Sequence, residues 1–182
     1  MKKRTFLTTA AMLAVVAATP LLSGCAAPSV ADYAAEKPVL DLREYFNGPV
    51  DAQGMFQDRN GKIIKRFAVA LNGSWKGDVG TLEEDFVYSD GTTQRRVWTL
   101  TRQADGHYTG RADDVVGEAR GQAQGNVFQW TYTLRQPVDG TVYEVQMDDW
   151  MVLMNNKTML NRATMSKFGI KVGEVTLSFT KR

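Results

Sequence analysis

Hydrophobic and polar residues alternate along most of the chain after residue 64. In the segment 126–136, for example, Phe128, Trp130, Tyr132 and Leu134 alternate with mostly polar residues. Successive side chains of a strand point to opposite faces of a sheet. This two-residue period therefore predicts strands that bury one face and expose the other.

Short turn signals separate the alternating segments. Dipeptides such as Asn60-Gly61, Asp90-Gly91 and Asp139-Gly140 supply the positive φ angles that tight hairpins require. The predicted strand segments are 65–75, 81–91, 94–102, 107–124, 126–136, 141–154, 158–169 and 174–182, with one more hairpin at Asn60-Gly61. The segment 41–48, which stops at Gly48, predicts one or two helical turns.

The order of these elements predicts an all-β domain over residues 41–182. Consecutive antiparallel strands without a parallel crossover must close on themselves or leave an exposed edge. We therefore predict an up-and-down β-barrel of about 8–10 strands with a short N-terminal helix, and a β-sandwich is the alternative. The side chains predicted to face inward are Phe67, Val69, Leu71, Phe86, Trp98, Trp130, Tyr132, Val145, Leu177 and Phe179.

Two acidic residues fall on the inward face of the predicted barrel. Glu84 and Asp149 each alternate in phase with the apolar residues of their own segments. Because buried charges are normally paired, we expect each to meet an inward arginine, such as Arg96 or Arg162. Two carboxyls that face one bond are also the pattern of a glycosidase, so a carboxylate-dependent reaction is the alternative.

The hairpin around Asp90-Gly91 decides which arginine lies beside Glu84. A two-residue loop places Arg95 there, whereas a three-residue loop places Arg96 there and turns Trp98 inward. Burying this indole and the leucine two residues later is worth about 3–5 kcal/mol over exposing them. The sequence therefore predicts the three-residue loop and a Glu84–Arg96 pair that Asp149 or Arg162 extends.

The N-terminus has the three parts of an export signal. Lys2, Lys3 and Arg4 precede an uncharged segment, 5–22, and Leu-Ser-Gly-Cys at 22–25 resembles the lipobox of bacterial lipoproteins. The resemblance implies cleavage before Cys25 and acylation of its thiol, and Ala26 implies an outer-membrane address on the periplasmic side. The predicted organisation is a signal peptide at 1–24, a lipidated and flexible tether at 25–40, and the barrel domain at 41–182.

Charge and motifs exclude several function classes. Without residues 1–24 the chain holds 19 basic and 20 acidic residues, a net charge of −1, so a nucleic-acid partner is not expected. One histidine, His107, and one cysteine offer no zinc site, and the familiar nucleophile and phosphate-loop motifs are missing. We therefore expect no cofactor and no metal.

Several blocks of the mature chain resemble a family of bacterial lipoproteins known as domain of unknown function 3833. The blocks are DLREYFNG, EDFVYSDG, ADDVVGEARG, DDWM and NRATMSKFGIKVGEVTLSF. The family brings no assigned activity, but the resemblance implies a link to membrane lipids. The strand pattern is also similar to that of lipocalins, and Gly73-Ser74-Trp75 resembles their Gly-x-Trp motif.

These observations leave three function classes. The first is a non-enzymatic protein that binds a lipid or another small hydrophobic ligand, and the others are a structural envelope lipoprotein with a filled barrel and a carboxylate-dependent enzyme. Five of the eight methionines fall between residues 147 and 165, where they line a cavity or belong to an ordinary core. The candidate ligand-binding residues are Glu84, Arg96, Trp98, Trp130, Asp149 and Arg162.

Overall fold

The structure, a computed structural model, describes residues 27–138 and 140–182 and consists almost entirely of strands. The ten strands are β1 (Gly48–Asp58), β2 (Ile63–Lys76), β3 (Val79–Tyr88), β4 (Thr93–Arg102), β5 (His107–Arg111), β6 (Val115–Gln124), β7 (Val127–Val138), β8 (Thr141–Leu153), β9 (Thr158–Lys167) and β10 (Ile170–Lys181). The helix α1 (Leu42–Tyr45) precedes them, and Val30–Tyr33 and Ala104–Gly106 form 3-10 turns. The signal peptide and Cys25 lie outside the described residues.

The strands close into an antiparallel up-and-down barrel. Each strand pairs with its neighbours in the sequence, and β1 pairs with both β2 and β10. This confirms the predicted barrel and excludes the sandwich, because the first and last strands share one continuous sheet. Among the described residues, no helix has the length and apolar character needed to cross a bilayer.

The inward face of the barrel forms one hydrophobic core. Eight of the ten side chains predicted to face inward are buried, and Tyr132 and Leu177 are partly buried and pack against them. The strands, α1 and the core lie entirely between residues 40 and 181. The described residues therefore form a packed domain around one core.

The helix α1 closes one end of the barrel, as a plug. Asp41 caps it by accepting a hydrogen bond from the Arg43 backbone N–H at 2.8 Å. Leu42 and Phe46 are buried, and the Phe46 ring meets the Phe179 ring edge-on at 5.6 Å between centroids. The opposite end, which we call the mouth, carries the β1–β2, β3–β4, β5–β6, β7–β8 and β9–β10 connections.

Gly73 and Trp75 of the lipocalin-like motif hold this plug. A Cβ at Gly73 would lie 1.8 Å from the Phe46 carbonyl oxygen, so only glycine permits this approach. The Trp75 indole N–H donates to the same carbonyl at 3.3 Å. The motif therefore lies at the closed end of the barrel, away from the mouth.

The segment that composition assigns to a flexible tether lies against the barrel from residue 30 onward. The Tyr33 ring packs 6.0 Å from the Trp150 ring, and Leu40 is buried and donates its backbone N–H to the Gly125 carbonyl at 2.8 Å. Composition alone overlooks these contacts because two apolar side chains are enough to attach a short polar segment to a surface.

One predicted strand is two strands. The segment 107–124 bends at residues 112–114, between β5 and β6. The prediction missed this turn because Ala112-Asp113-Asp114 contains no glycine, proline or asparagine. The turn places Asp114 at the mouth of the barrel and not within a strand.

Candidate functional site

A cavity of about 110 Å³ lies inside the barrel, between the plug and the mouth. Its wall is largely aromatic and apolar, and includes Phe67, Phe86, Trp98, Trp130, Tyr132, Met147, Met151, Ala163, Met165 and Phe179. Its polar lining residues are Glu84, Tyr88, Gln94, Arg96, Gln136, Asp149 and Asn161. This combination of an apolar wall and a few polar groups is typical of small-molecule sites.

The β3–β4 hairpin places Glu84 and Arg96 in this cavity. The Tyr88 N–H donates to the Thr92 carbonyl at 2.9 Å, and Gly91 has φ +81°. These features define a three-residue loop, and Glu84 stands directly opposite Arg96. The register prediction is confirmed, and Trp98 is buried as it required.

The ion partner of Arg96 is Asp114 and not Glu84. The Arg96 Nε and a terminal nitrogen donate to Asp114 Oδ2 at 2.9 Å and 2.6 Å. The predicted Glu84–Arg96 pair is therefore wrong as an ion pair, although the two residues are neighbours across the sheet. Sequence reasoning missed Asp114 because it lies in the unrecognised β5–β6 turn.

The carboxylate of Glu84 is a free polar group inside the barrel. Among the described residues it takes part in none of the hydrogen bonds or ion pairs. Loss of water contact raises its pKa from 4.5 to about 7, the charge of Arg96 lowers it, and the charges of Asp114 and Asp149 raise it further. Near neutral pH the group therefore exchanges a proton easily.

Arg96 stays charged despite its burial. Burial acts against its charge, but the neighbouring carboxylates of Glu84 and Asp114 outweigh that effect and raise its pKa. The guanidinium also lies 5.5 Å from the centre of the Phe86 ring. Asp114 keeps one buried oxygen, Oδ1, that has no hydrogen-bond partner among the described residues.

Asp149 is the second inward carboxylate, and hydrogen bonds hold it in place. The Trp130 indole N–H donates to Asp149 Oδ2 at 3.0 Å, the Tyr132 hydroxyl lies 3.5 Å from the same oxygen, and the Asn161 amide donates to Oδ1. Burial raises the Asp149 pKa to about 6, although these three donors act in the opposite direction. The prediction that Asp149 faces inward is confirmed.

Arg162 does not belong to the site. Its side chain is 66% exposed and pairs with Glu174 at 2.9 Å on the outer surface. On β9 the inward positions are those of the buried residues Asn161 and Ala163. Asn161, which the sequence analysis did not select, therefore takes the place predicted for an inward arginine.

The two candidate tryptophans form an aromatic wall of the cavity. The rings of Trp98 and Trp130 lie 4.7 Å apart, and Tyr132 meets both at 5.5 Å and 5.3 Å between centroids. No group of three metal-ligating side chains occurs among the described residues. The side chains that line the cavity can exchange a proton at Glu84, form hydrogen bonds, and contact an apolar ligand.

Comparison with known proteins identifies a family and a fold. Residues 19–181 match the family model described as "Protein of unknown function (DUF3833)". No functionally curated protein matches the sequence.

Two solved structures resemble the barrel. A protein of unknown function from the DUF3598 family of Nostoc punctiforme PCC 73102 aligns with a TM-score of 0.55 and 12% identity over 81% of this chain, which spans only 51% of that protein. The S-type phycobiliprotein lyase of Guillardia theta aligns with a TM-score of 0.58 and 7% identity, over 79% of this chain and 93% of that chain. Likeness at these identities establishes a shared barrel fold.

Proposed function

The chain belongs to the DUF3833 family, whose function is unknown, and we propose that it binds a small hydrophobic molecule inside its barrel while an acylated Cys25 holds it on a membrane. The observation that carries the proposal is the free Glu84 carboxylate in an otherwise largely aromatic cavity. Glu84 is only partly buried, so its carboxylate keeps some contact with water in the cavity, and a donor at the polar end of a ligand would take the place of that water.

The site favours a particular kind of ligand. One cation, Arg96, already pairs with Asp114, whereas Glu84 and Asp149 add two further carboxyl groups. An anionic head group would meet these carboxylates, so a hydroxyl or amine that donates to Glu84 fits better. At about 110 Å³ the cavity is smaller than the roughly 300–1,000 Å³ of drug-sized sites, so the bound part is small, such as a polar end and the first few carbons of an acyl chain.

We expect the purified chain to retain a hydrophobic ligand. Native mass spectrometry followed by organic extraction should detect it in the chain starting at Ala26, and Ala163→Phe should lose it because the new ring fills the cavity that Ala163 lines. The control is Leu160→Phe, which enlarges an exposed side chain on the same strand.

The two variants also separate ligand loss from misfolding. Circular dichroism should show strand structure in both of them. If the unaltered chain carries no ligand and takes up no fluorescent fatty amine or fatty alcohol, the ligand proposal fails, and a structural envelope role becomes the better interpretation.

A carboxylate-dependent enzyme is the second candidate. It is favoured by the pKa of about 7 at Glu84 in a cavity that reaches the mouth, because catalytic acids and bases are tuned to this range. Prolonged incubation with the extracted ligand separates the candidates. Chemical change that requires Glu84 supports an enzyme, and unchanged ligand supports a binding protein.

The anchor is proposed from the lipobox-like residues 22–25. Acylated Cys25 would hold the protein at the outer membrane, with the barrel in the periplasm. We expect Cys25→Ser to move the protein from the membrane pellet to the soluble fraction, since a chain without acyl groups loses its anchor. Mass spectrometry should find acyl chains on Cys25, and a Cys25→Ser chain that is processed and still sediments like the unaltered protein would contradict the anchor.

A further inference from the structure

Exposed hydrophobic side chains gather on one side of the mouth. The β1–β2 and β9–β10 connections lie side by side there, because Asp58 at the end of β1 pairs with Gly173 of β10. Four large apolar residues in or next to these connections form what we call the rim patch, and their exposed fractions are 53%, 62%, 89% and 66% for Ile63, Ile64, Phe168 and Ile170. Exposed apolar side chains that cluster in this way are typical of surfaces that bind a protein or a membrane.

Phe168 occupies a turn position where phenylalanine is unfavourable for stability. Phe168 and Gly169 have φ angles of +51° and +77°, as in a type I′ hairpin. Asparagine, aspartate and glycine are the favoured residues there, and a bulky aromatic side chain in this left-handed region is an outlier. An unfavourable backbone that presents a highly exposed ring points to a role outside folding.

Positive charge surrounds the rim patch. The segments 58–65 and 166–172 contain five basic residues and one acidic residue. The connections 89–92 and 112–114 of the mouth contain three acidic residues and no basic one. Lys65 pairs with Asp90 of the adjoining connection, and Lys171 pairs with Glu174, each at 2.8 Å, so Arg59, Lys62 and Lys167 supply the positive charge beside the rim patch. Apolar side chains beside basic residues are the pattern by which proteins lie on anionic lipid surfaces.

We propose that the rim patch docks onto an anionic bilayer surface, so that the mouth of the barrel faces the lipid. The rim patch consists of described residues only. An anchor at Cys25 is compatible with a mouth that faces the lipid. Pro28 lines an outer groove of β8 and β9 that extends from Leu160 to Thr164, and the three Cα–Cα steps from Cys25 to Pro28 span at most about 11 Å. Phe168 lies about 13 Å further toward the mouth than Thr164, because four residues of β9 and its turn separate the two.

Vesicle binding tests this proposal without the anchor. The chain that starts at Ala26 contains the whole barrel and its plug, and it should sediment with vesicles of phosphatidylcholine and phosphatidylglycerol but much less with phosphatidylcholine alone. Phe168→Asn should lower the partition coefficient about tenfold, because the ring no longer enters the bilayer. Asparagine suits the type I′ turn, so this variant should melt at or above the temperature of the unaltered chain.

Two controls show that the effect belongs to this surface. Met154→Asn removes a 54% exposed apolar residue at the plugged end and should leave vesicle binding unchanged. Lys62→Gln with Lys167→Gln should lower binding to the anionic vesicles about tenfold or more and reduce its salt dependence. Equal losses for Phe168→Asn and Met154→Asn, or no loss in Phe168→Asn, would overturn the proposal.

A protein partner is the competing occupant of the rim patch. Sedimentation velocity would reveal self-association, and a chain that dimerises through Phe168 but ignores anionic vesicles would assign the patch to a second copy. Because the tested chain lacks Cys25, failure of docking leaves the anchor and the ligand proposals untouched. Loss of bound ligand in Ala163→Phe, conversely, has no bearing on the rim patch.

Discussion

Replacement of Trp130 by alanine is expected to lower the free energy of unfolding by about 3–5 kcal/mol. Its side chain is only 5% exposed and lies within 4.7 Å and 5.3 Å, between ring centroids, of Trp98 and Phe128. The substitution removes these aromatic contacts and enlarges the cavity. It also removes the indole N–H that Asp149 Oδ2 accepts at 3.0 Å.

Urea denaturation of three variants separates these contributions. Trp130→Phe keeps the aromatic packing but removes the donor, and should cost about 1–3 kcal/mol because Asp149 loses a partner. Trp150→Ala is the control, since Trp150 is partly exposed on the neighbouring strand β8 and packs on Tyr33. Equal losses in Trp130→Ala and Trp150→Ala would contradict a buried role for Trp130.

The two-residue alternation of hydrophobic and polar residues is sufficient to predict the barrel and much of its lining. Alternation in β7 placed Phe128, Trp130 and Leu134 inside, and the structure buries all three. The loop at Asp90-Gly91 was also predictable, because only one register buries Trp98. Where a face is strongly apolar, burial energy alone selects the register.

The polar partners inside the barrel could not be predicted in the same way. Asp114 meets Arg96 from a turn that contains two aspartates but no glycine or proline, so the local sequence does not separate this turn from the strands beside it. The sequence allows Arg162 as an inward arginine, but the inward positions of β9 belong to Asn161 and Ala163. A strand with mixed polarity does not fix its own phase, and the phase of β9 depends on its pairing with β8 and β10.

Replacement of Glu84 by glutamine is expected to stabilise the ligand-free protein at alkaline pH and to have little effect in acid. Burial raises the pKa of Glu84 from 4.5 to about 7 in the folded chain. The folded state therefore binds this proton more tightly than the unfolded state. Its favourable contribution to folding is complete below about pH 4 and is lost as the pH rises to about 7.

The size of the effect follows from the pKa difference. Each pKa unit corresponds to about 1.4 kcal/mol, and contact of the carboxylate with cavity water reduces the effect. The free energy of unfolding of Glu84→Gln should therefore exceed that of the unaltered chain by about 1–3 kcal/mol near pH 8. Near pH 4 the two free energies of unfolding should agree within about 1 kcal/mol. Asp149 titrates in both chains, and because its charge and that of Glu84 repel each other, relief of this repulsion is part of the measured difference.

Urea denaturation across this pH range measures the difference, and the adjacent glutamate provides the control. Glu83 lies on the outer face and pairs with Arg95 at 2.8 Å, so Glu83→Gln should change the free energy by less than about 1 kcal/mol at any pH. Stabilisation of Glu84→Gln that grows with pH would identify an ionised carboxylate without a hydrogen-bond donor. The polar end of a ligand would supply that donor. Destabilisation near pH 8 would instead mean that Glu84 already has a favourable partner, and would rule out a ligand head group at this position.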